Sequence, residues 1–528
     1  MVRLGIQPEF FSGGYNQFEQ LIYGKDAALE AFEPHLTYFC VGSDHISTDL
    51  PVDDARWTKL WQSTNQFLAC DVVQDVFQEP IERVYGNLER NFGDSRTSKI
   101  RKLNSLLGSC QPHFVHLHDT EHLASLVGRA RWRDQKLFDI SKIPVSFEFH
   151  IRYASSLASQ FAGIFGRSKK CLVLDLDNTL WGGVVGDLGW QNIQHGPESP
   201  TGEAFFRFQS YLKELACRGV LLVVCSKNDE SIAREVFEQR SDFALQLSDF
   251  ALFVANWNPK DENIKDIASK LNIGLDSIVF VDDNPAEREL LRQSLPEVSV
   301  AAMPSDPADF AICLSQYCFF ECTSITSEDR MRSAEYQAQV VRKELKENAN
   351  SYADYLESLE MKATFSEFNE TNIDRVTQLF NKTNQFNLRT KRFTRAQIED
   401  MLARGKTMTL TANLTDRFGD YGLVSAAIAL QENSKWSLEN WVMSCRVFSR
   451  QLEHLFFSEL VHRLLQVNAT ELRTQFLATK KNHVVRELFD ELGLVRTHDS
   501  PKQRDWICDQ EAMRGLAHRH RATKIEVS

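Results

Sequence analysis

Two aspartates one residue apart, Asp175 and Asp177, follow the apolar run Cys171-Leu172-Val173-Leu174 and precede Asn178 and Thr179. Such a run reads as a buried strand of a parallel sheet, and period-two geometry turns both carboxylates to the same side. Side-by-side carboxylates at a buried strand end repel each other unless positive charge sits between them. A divalent cation supplies it, and hard oxygen ligands of this kind suit Mg²⁺. Ligands of open parallel sheets collect at the carboxyl ends of the strands, so the position also fits a site. By itself the pattern D-x-D-x-T would equally describe a strand running into an acidic turn.

The downstream order of residues narrows the choice. A second apolar strand, Leu221 to Cys225, stops at Ser226-Lys227-Asn228, and Lys260 stands in Asn258-Pro259-Lys260-Asp261-Glu262 just after the apolar segment Ala251 to Ala255. A third strand, Ser277 to Val281, delivers Asp282-Asp283-Asn284, and helical patterns lie between, at Phe205 to Ala216 and Ser231 to Phe237. Alternation of strand and helix is the pattern of a doubly wound sheet. An aspartate pair, a hydroxyl, a lysine and a second aspartate pair, each at its own strand end, resemble the motifs of the haloacid dehalogenase superfamily.

That resemblance implies phosphoryl transfer, which needs an in-line nucleophile, neutralisation of the equatorial oxygens and proton delivery to the leaving oxygen. Asp175 is then the nucleophile that forms an aspartyl-phosphate, and Asp177 the general acid and base. Ser226 hydrogen-bonds the phosphoryl oxygens and Lys260 supplies fixed positive charge. Asp282 completes a Mg²⁺ shell with Asp175 and the backbone carbonyl of Asp177, while Asp283 positions Lys260. Thr179 and Asn228 are candidate substrate contacts; a hydroxyl capping the turn is the other reading of Thr179.

The runs DLDNTLWGGVVGDLGWQNIQ, SPTGEAFFRFQ, VCSKNDE and NWNPKDENI resemble the FkbH-like branch of that superfamily. Trp181-Gly182-Gly183-Val184-Val185-Gly186 is its distinguishing piece, a loop whose glycines let the backbone turn tightly or approach something closely; Gly182 and Gly183 are taken as substrate-facing. The resemblance implies a glyceryl transferase with phosphatase activity. Such proteins take the glyceryl group of 1,3-bisphosphoglycerate, remove its phosphate and load the acyl group on a phosphopantetheinylated acyl carrier protein, for tetronates or polyketide extender units.

The elements around this unit are read from composition. A chain of 528 residues exceeds one core and suggests three domains. With 43% hydrophobic and 25% charged residues it is globular in composition, and a net charge of −12 argues against a partner bound through nucleic-acid phosphates. Eleven cysteines without any C-x-x-C pair point to reduced thiols, and Cys313, Cys318 and Cys322 to core packing. No run approaches the roughly 18 apolar residues of a membrane helix, and Met1 to Gly14 has no apolar segment of signal-peptide length. The expectation is a cytoplasmic protein with no membrane partner.

Residues 1–167 mix strands (Leu36 to Val41, Phe114 to Asp119) with an amphipathic helix from Ala55 to Leu68. In FkbH-like proteins such an extension resembles the SGNH hydrolases; no clear Gly-Asp-Ser nucleophile block stands near its start, so a non-catalytic domain is expected. His113, His116, His118 and His122 read as ordinary strand-end histidines rather than as a metal site. Residues 168–325 form the phosphatase unit and 326–359, rich in Glu, Arg, Lys, Gln and Ala with Met331, Tyr336, Val340, Val341 and Leu345 interspersed, a helical connector.

Residues 360–500 show a helix at Ile373 to Phe380, strands at Thr407 to Asn413, Gly422 to Leu430 and Trp436 to Met443, a helix at Glu453 to Leu465 and a strand at Glu471 to Leu477. This order resembles the GNAT acyltransferases, in which turn amides at a helix start cradle a pyrophosphate. Val442 to Arg450 resembles that turn and Lys480-Lys481-Asn482 a later part of the fold. Ser449 and Gln451 stand where glycines would admit the pyrophosphate, so a phosphopantetheine arm fits better than coenzyme A; Arg446 and Arg450 could meet its phosphate, or be surface charge. An acyl transfer through a thioester points to an exposed cysteine, either Cys225, next to Ser226, or Cys445, before the turn; packing is the alternative for both. Residues 501–528 read as a polar tail. The expected whole is an α/β chain with an SGNH-like domain, a central doubly wound sheet and a GNAT-like α+β domain. The competing function is a phosphatase of a sugar phosphate, or a docking scaffold whose GNAT-like domain is inert.

Overall fold

A computed structural model describes residues 5–46, 52, 54–325, 336, 338, 351–448, 450–479, 481–517 and 525–527. The chain forms two compact units, Met1–Ile164 with Phe393–Gly405, and Phe165–Arg392 with Lys406–Ser528.

In the first unit, β1 (Leu36–Phe39), β2 (Asp71–Asp75) and β3 (Val115–His118) pair in parallel in that order. The helix Ala55–Leu68, at its expected bounds, buries Trp57, Leu60 and Trp61 in the core beside the sheet. The central strand β2 is the element the sequence hides, since three of its five residues are Asp71, Gln74 and Asp75. Each has a partner for part of its polar surface: the Trp61 indole donates to Gln74 Oε1 at 2.8 Å, Asp71 Oδ2 lies 3.7 Å from His116 Nε2, and Asp75 receives donors described below. The segment Phe393–Gly405 belongs to this unit rather than to the 360–500 domain, and its Ala396 joins the same core.

In the second unit, β4 (Cys171–Leu174), β5 (Leu221–Ser226), β6 (Phe250–Ala255), β7 (Ile278–Val281) and β8 (Ser299–Val300) form a parallel sheet ordered β6-β5-β4-β7-β8. Alternation along the strands builds two cores. Leu172, Leu174, Leu222 and Val224 meet the helix Pro200–Cys217 on one face, and Cys171, Val173, Val223 and Cys225 meet the helix Lys260–Leu271 on the other. Chain order reverses between β4 and β7, which makes their carboxyl ends the topological switch point where such sheets bind ligands.

The remaining strands of this unit make a mixed sheet: β9 (Lys362–Ser366), β10 (Phe386–Asn387), β11 (Thr407–Asp416), β12 (Gly419–Glu432), β13 (Lys435–Met443), β14 (Glu471–Leu477), β15 (Val495–Asp499), β16 (Gln503–Asp509) and β17 (Glu526–Val527). The order is β15-β16-β14-β13-β12-β11-β9-β17. The parallel partners β13 and β14 pair only over Lys435–Ser437 with Glu471–Arg473, and β10 pairs with the far end of β13 at Val442 and Met443. The expected polar tail is a correction: β16 lies between β14 and β15 with Trp506 fully buried, and the helix Gln510–Ala517 packs Met513 into the core. Most of the expected connector, including Met331, Val340, Val341 and Leu345, lies outside the described residues. No described helix is long and apolar enough to cross a membrane.

Candidate active site

The strand ends at the switch point bring together Asp175, Asp177, Ser226, Lys260, Asp282 and Asp283. Lys260 opens its helix, and its Nζ lies 2.5 Å from Asp282 Oδ2 and 2.9 Å from Asp175 Oδ1, all three residues being buried. Burial works against the lysine's charge, but Asp175 and Asp282 outweigh it and hold its pKa above the ordinary value. Burial, then the charge of Asp175, raises the Asp282 carboxyl, with Lys260 pulling the other way.

One carboxylate oxygen from each of Asp175, Asp282 and Asp283 lies within 4.8 Å of the others. Asp175 Oδ1 is buried and receives no hydrogen bond of good geometry even though Lys260 is close. Burial and then the charge of Asp175 also raise Asp283. A crowded trio of hard oxygen donors short of positive charge fits Mg²⁺, with Asp175, Asp282 and Asp283 as the side chains that would hold it. When bound, the ion neutralises charge on phosphoryl oxygens. Two expectations change here. Asp282, not Asp283, meets Lys260, and Asp283 belongs to the carboxylate trio.

The Asp177 carboxylate is not available as a ligand. Its Oδ1 accepts from Trp181 Nε1 at 2.9 Å and from the Val185 amide at 3.0 Å, and its Oδ2 accepts from Asn228 Nδ2 at 3.0 Å. These donors hold the carboxyl in one orientation, while burial raises its pKa, which favours the protonated form a general acid needs. Neither Trp181 nor Asn228 was legible as its support, because nothing in the spacing of a loop residue shows which carboxyl it meets. Asn228 is therefore a positioning residue rather than the expected substrate contact. In Asn228→Ala, losing a hydrogen bond to a charged group, worth about 1.5–3 kcal/mol, should slow phosphate release by roughly 10- to 100-fold. Its pH profile should move upward, since the lost donor favoured the ionised form; an unshifted profile would assign Asn228 a different role.

Three further substrate-facing candidates have structural duties. Thr179 is buried, and its Oγ1 accepts the Asp283 amide at 3.2 Å, tying the two acidic loops together. Gly182 exchanges backbone hydrogen bonds with Gln194, and a Cβ there would stand 2.9 Å from the Phe205 ring. Gly183 has φ +96°, and a Cβ there would stand 2.4 Å from Leu188 Cδ1. The loop is tight for packing and closes over the Asp177 carboxylate. Gly183→Ala should destabilise the protein by about 1–3 kcal/mol, read as a lower midpoint of thermal unfolding; an unchanged midpoint would show that the loop relaxes freely.

The cysteines and arginines fare differently. Cys225 is fully buried on the core face of β5, opposite to Ser226, and burial pushes its thiol up to about 12. It is a packing residue, because adjacent positions on a strand face opposite ways. Cys445 borders a cavity of about 340 Å³ whose walls include Lys170, Asn272, Lys382, Arg446 and Lys481. Its thiol donates to Asn272 O at 3.4 Å; burial raises its pKa and Lys170 acts to lower it. Arg446 is buried and donates to Ser444 Oγ at 3.1 Å and Tyr421 O at 3.2 Å, although it still borders the cavity. Arg450 is buried against the Tyr421 hydroxyl and 3.6 Å from Asp416 Oδ2, so it is neither surface charge nor placed to meet a phosphate. Gln451 has φ +68°, a left-handed conformation that favours glycine. Ser449 and Lys480 lie outside the described residues.

The model of the NLI interacting factor-like phosphatases matches residues 170–299, which include every residue of this site. The N-terminal part of a Bacteroides fragilis protein, containing a phosphatase domain complexed with Mg, is 35% identical over 60% of this chain and 87% of that one, with a TM-score of 0.57. The chain belongs to the haloacid dehalogenase phosphatases. Its phosphatase domain is Mg²⁺-dependent. The ribosomal-protein-S18-alanine N-acetyltransferase of Escherichia coli is similar over 28% of this chain and 90% of its own, with 12% identity and a TM-score of 0.22. No curated protein matches the chain.

Proposed function

We propose that this phosphatase loads a glyceryl unit from 1,3-bisphosphoglycerate onto the phosphopantetheine thiol of an acyl carrier protein, supplying a polyketide extender unit or a tetronate precursor. The observation that carries the phosphoryl half is the constellation of buried Asp175, Lys260 and Asp282 with half-buried Asp177 and Asp283. Asp175 attacks the phosphomonoester phosphorus; Asp177 gives a proton to the departing oxygen and then takes one from the water that hydrolyses the aspartyl-phosphate. Lys260 holds Asp175 in place, and Ser226, at the end of β5, meets the phosphoryl oxygens.

The acyl half is supported by the cavity at Cys445. A thiol beside Lys170, Lys382 and Lys481 suits a phosphate-bearing acyl donor. The Cys445 thiolate adds to the acyl-phosphate carbonyl, inorganic phosphate leaves, and the thioester passes to the carrier's thiol. The internal pairing of Arg446 and Arg450 favours a second reading, a plain phosphatase of a sugar phosphate whose third domain takes no part.

The deciding experiment incubates the protein with Mg²⁺ and freshly generated 1,3-bisphosphoglycerate, with and without a carrier protein, and reads intact masses. A glyceryl adduct on Cys445 that moves to the carrier establishes the transferase. Phosphate release without an adduct on either protein leaves the phosphatase reading, and neither event rejects the glyceryl donor.

A further inference from the structure

The first unit holds a second set of groups able to do chemistry, separate from the phosphoryl site. Asp75 ends β2 and His118 ends β3, so both stand at the carboxyl edge of the three-stranded parallel sheet, the edge at which such sheets bind ligands. The buried His118 places Nδ1 2.8 Å from Asp75 Oδ1 and Nε2 3.2 Å from Ser156 Oγ. Ser156 is half-buried on the helix His150–Ile164.

Three features go beyond a buried polar contact. The Asp75 carboxylate accepts from every side: Oδ1 faces His118, and Oδ2 receives the hydroxyls of Tyr38 at 2.7 Å and Tyr153 at 2.8 Å. An acceptor held this way puts the imidazole proton on Nδ1 and leaves the Nε2 lone pair aimed at Ser156. The serine is also not occupied by its own helix. Ser210 and Ser294 turn their hydroxyls back to Phe206 O and Leu290 O in the usual manner of helical serines, whereas the partner of Ser156 Oγ among the described residues is the imidazole. Finally, the groups converge from separate elements, with Cys40, exposed just past β1, lying 3.5 Å from the Tyr153 hydroxyl.

We propose that Ser156, His118 and Asp75 form a second catalytic site, a serine acyl-transfer centre that accepts short carboxylic esters or thioesters. His118 Nε2 takes the Ser156 hydroxyl proton as Oγ adds to the substrate carbonyl. The tetrahedral adduct collapses to an acyl-serine, and the leaving alcohol or thiol departs with that proton from His118. Water then adds to the acyl-serine with His118 again as base, which releases the acid and restores the serine. Asp75 is a positioning residue that fixes the tautomer, and Tyr38 and Tyr153 fix Asp75. Geometry of this kind identifies such a centre regardless of the order of its members along the chain.

The test treats the full chain with a fluorophosphonate, maps the adduct by peptide mass, and follows hydrolysis of p-nitrophenyl acetate. One adduct at Ser156 is expected, absent in Ser156→Ala and formed at least roughly 100-fold more slowly in His118→Gln. Asp175→Asn, which disables the phosphoryl site, should label and hydrolyse the ester like the parent. Asp75→Asn should label at least 100-fold more slowly while unfolding at a temperature close to the parent's. The proposal is overturned if folded parent protein takes no label, if the label maps elsewhere, or if Ser156→Ala retains the esterase rate.

Discussion

Asp175→Asn should abolish Mg²⁺-dependent phosphatase turnover, by about 10⁴-fold or more, while leaving the unfolding temperature close to that of the parent. The size follows from removing the nucleophile itself: an amide cannot form the aspartyl-phosphate, and loss of a covalent nucleophile removes nearly all the rate an active site supplies. The fold is spared because Lys260 keeps its pairing with Asp282 at 2.5 Å, so no charge is left buried alone. The amide also relieves the crowding that raises Asp282 and Asp283, whose second-largest cause is the Asp175 charge. Phosphate release from p-nitrophenyl phosphate, with thermal unfolding on the same samples, reads both parts. Residual turnover within about 100-fold of the parent would mean that another group attacks phosphorus.

The phosphoryl site is legible in the sequence because its aspartates and serine end or follow strands that are apolar up to them, and Lys260 opens the helix after another strand. Cys171 to Leu174, Leu221 to Cys225 and Ile278 to Val281 can only be the middle of a covered parallel sheet, and whatever follows them must lie along its carboxyl edge. The partners of those residues are not legible. Lys260 meeting Asp282 rather than Asp283, and Asn228 and Trp181 holding Asp177, depend on how loops fold back over distances that spacing does not encode. Burial misleads in the opposite sense for Cys225, which neighbours Ser226 in sequence yet faces the other side of β5. The strands β2 and β16 are hidden for a related reason. Asp71-Val72-Val73-Gln74-Asp75 and Gln503-Arg504-Asp505-Trp506 look like surface because their polar side chains are written out while their partners, Trp61, His118, Tyr38 and Gln475, stand 13 to 43 residues away in the chain. The same blindness conceals Ser156, an unremarked helical serine until the fold brings His118 to it.

Lys260→Met should be the most destabilising single change in the phosphatase domain, and one that Mg²⁺ partly repairs. The lysine is the positive group between Asp175 and Asp282, and all three are buried. Removing one partner from a buried charge cluster costs about 3–5 kcal/mol, because the carboxylates remain without compensation. At roughly 2–4 °C per kcal/mol for a domain of this size, unfolding should fall by about 10 °C. Methionine keeps most of the volume, which isolates the charge as the cause. Mg²⁺ binds the folded site and supplies the missing charge, so saturating metal should raise the unfolding temperature of the variant more than that of the parent. The same comparison separates the lysine's two duties: stability returns with the metal, whereas phosphatase turnover stays low because the ammonium group 2.9 Å from Asp175 Oδ1, which holds the nucleophile in place, is gone. Equal responses to Mg²⁺ in parent and variant would show that Asp175 and Asp282 share a proton when the lysine is gone, and that the cluster is held together by protonation rather than by positive charge.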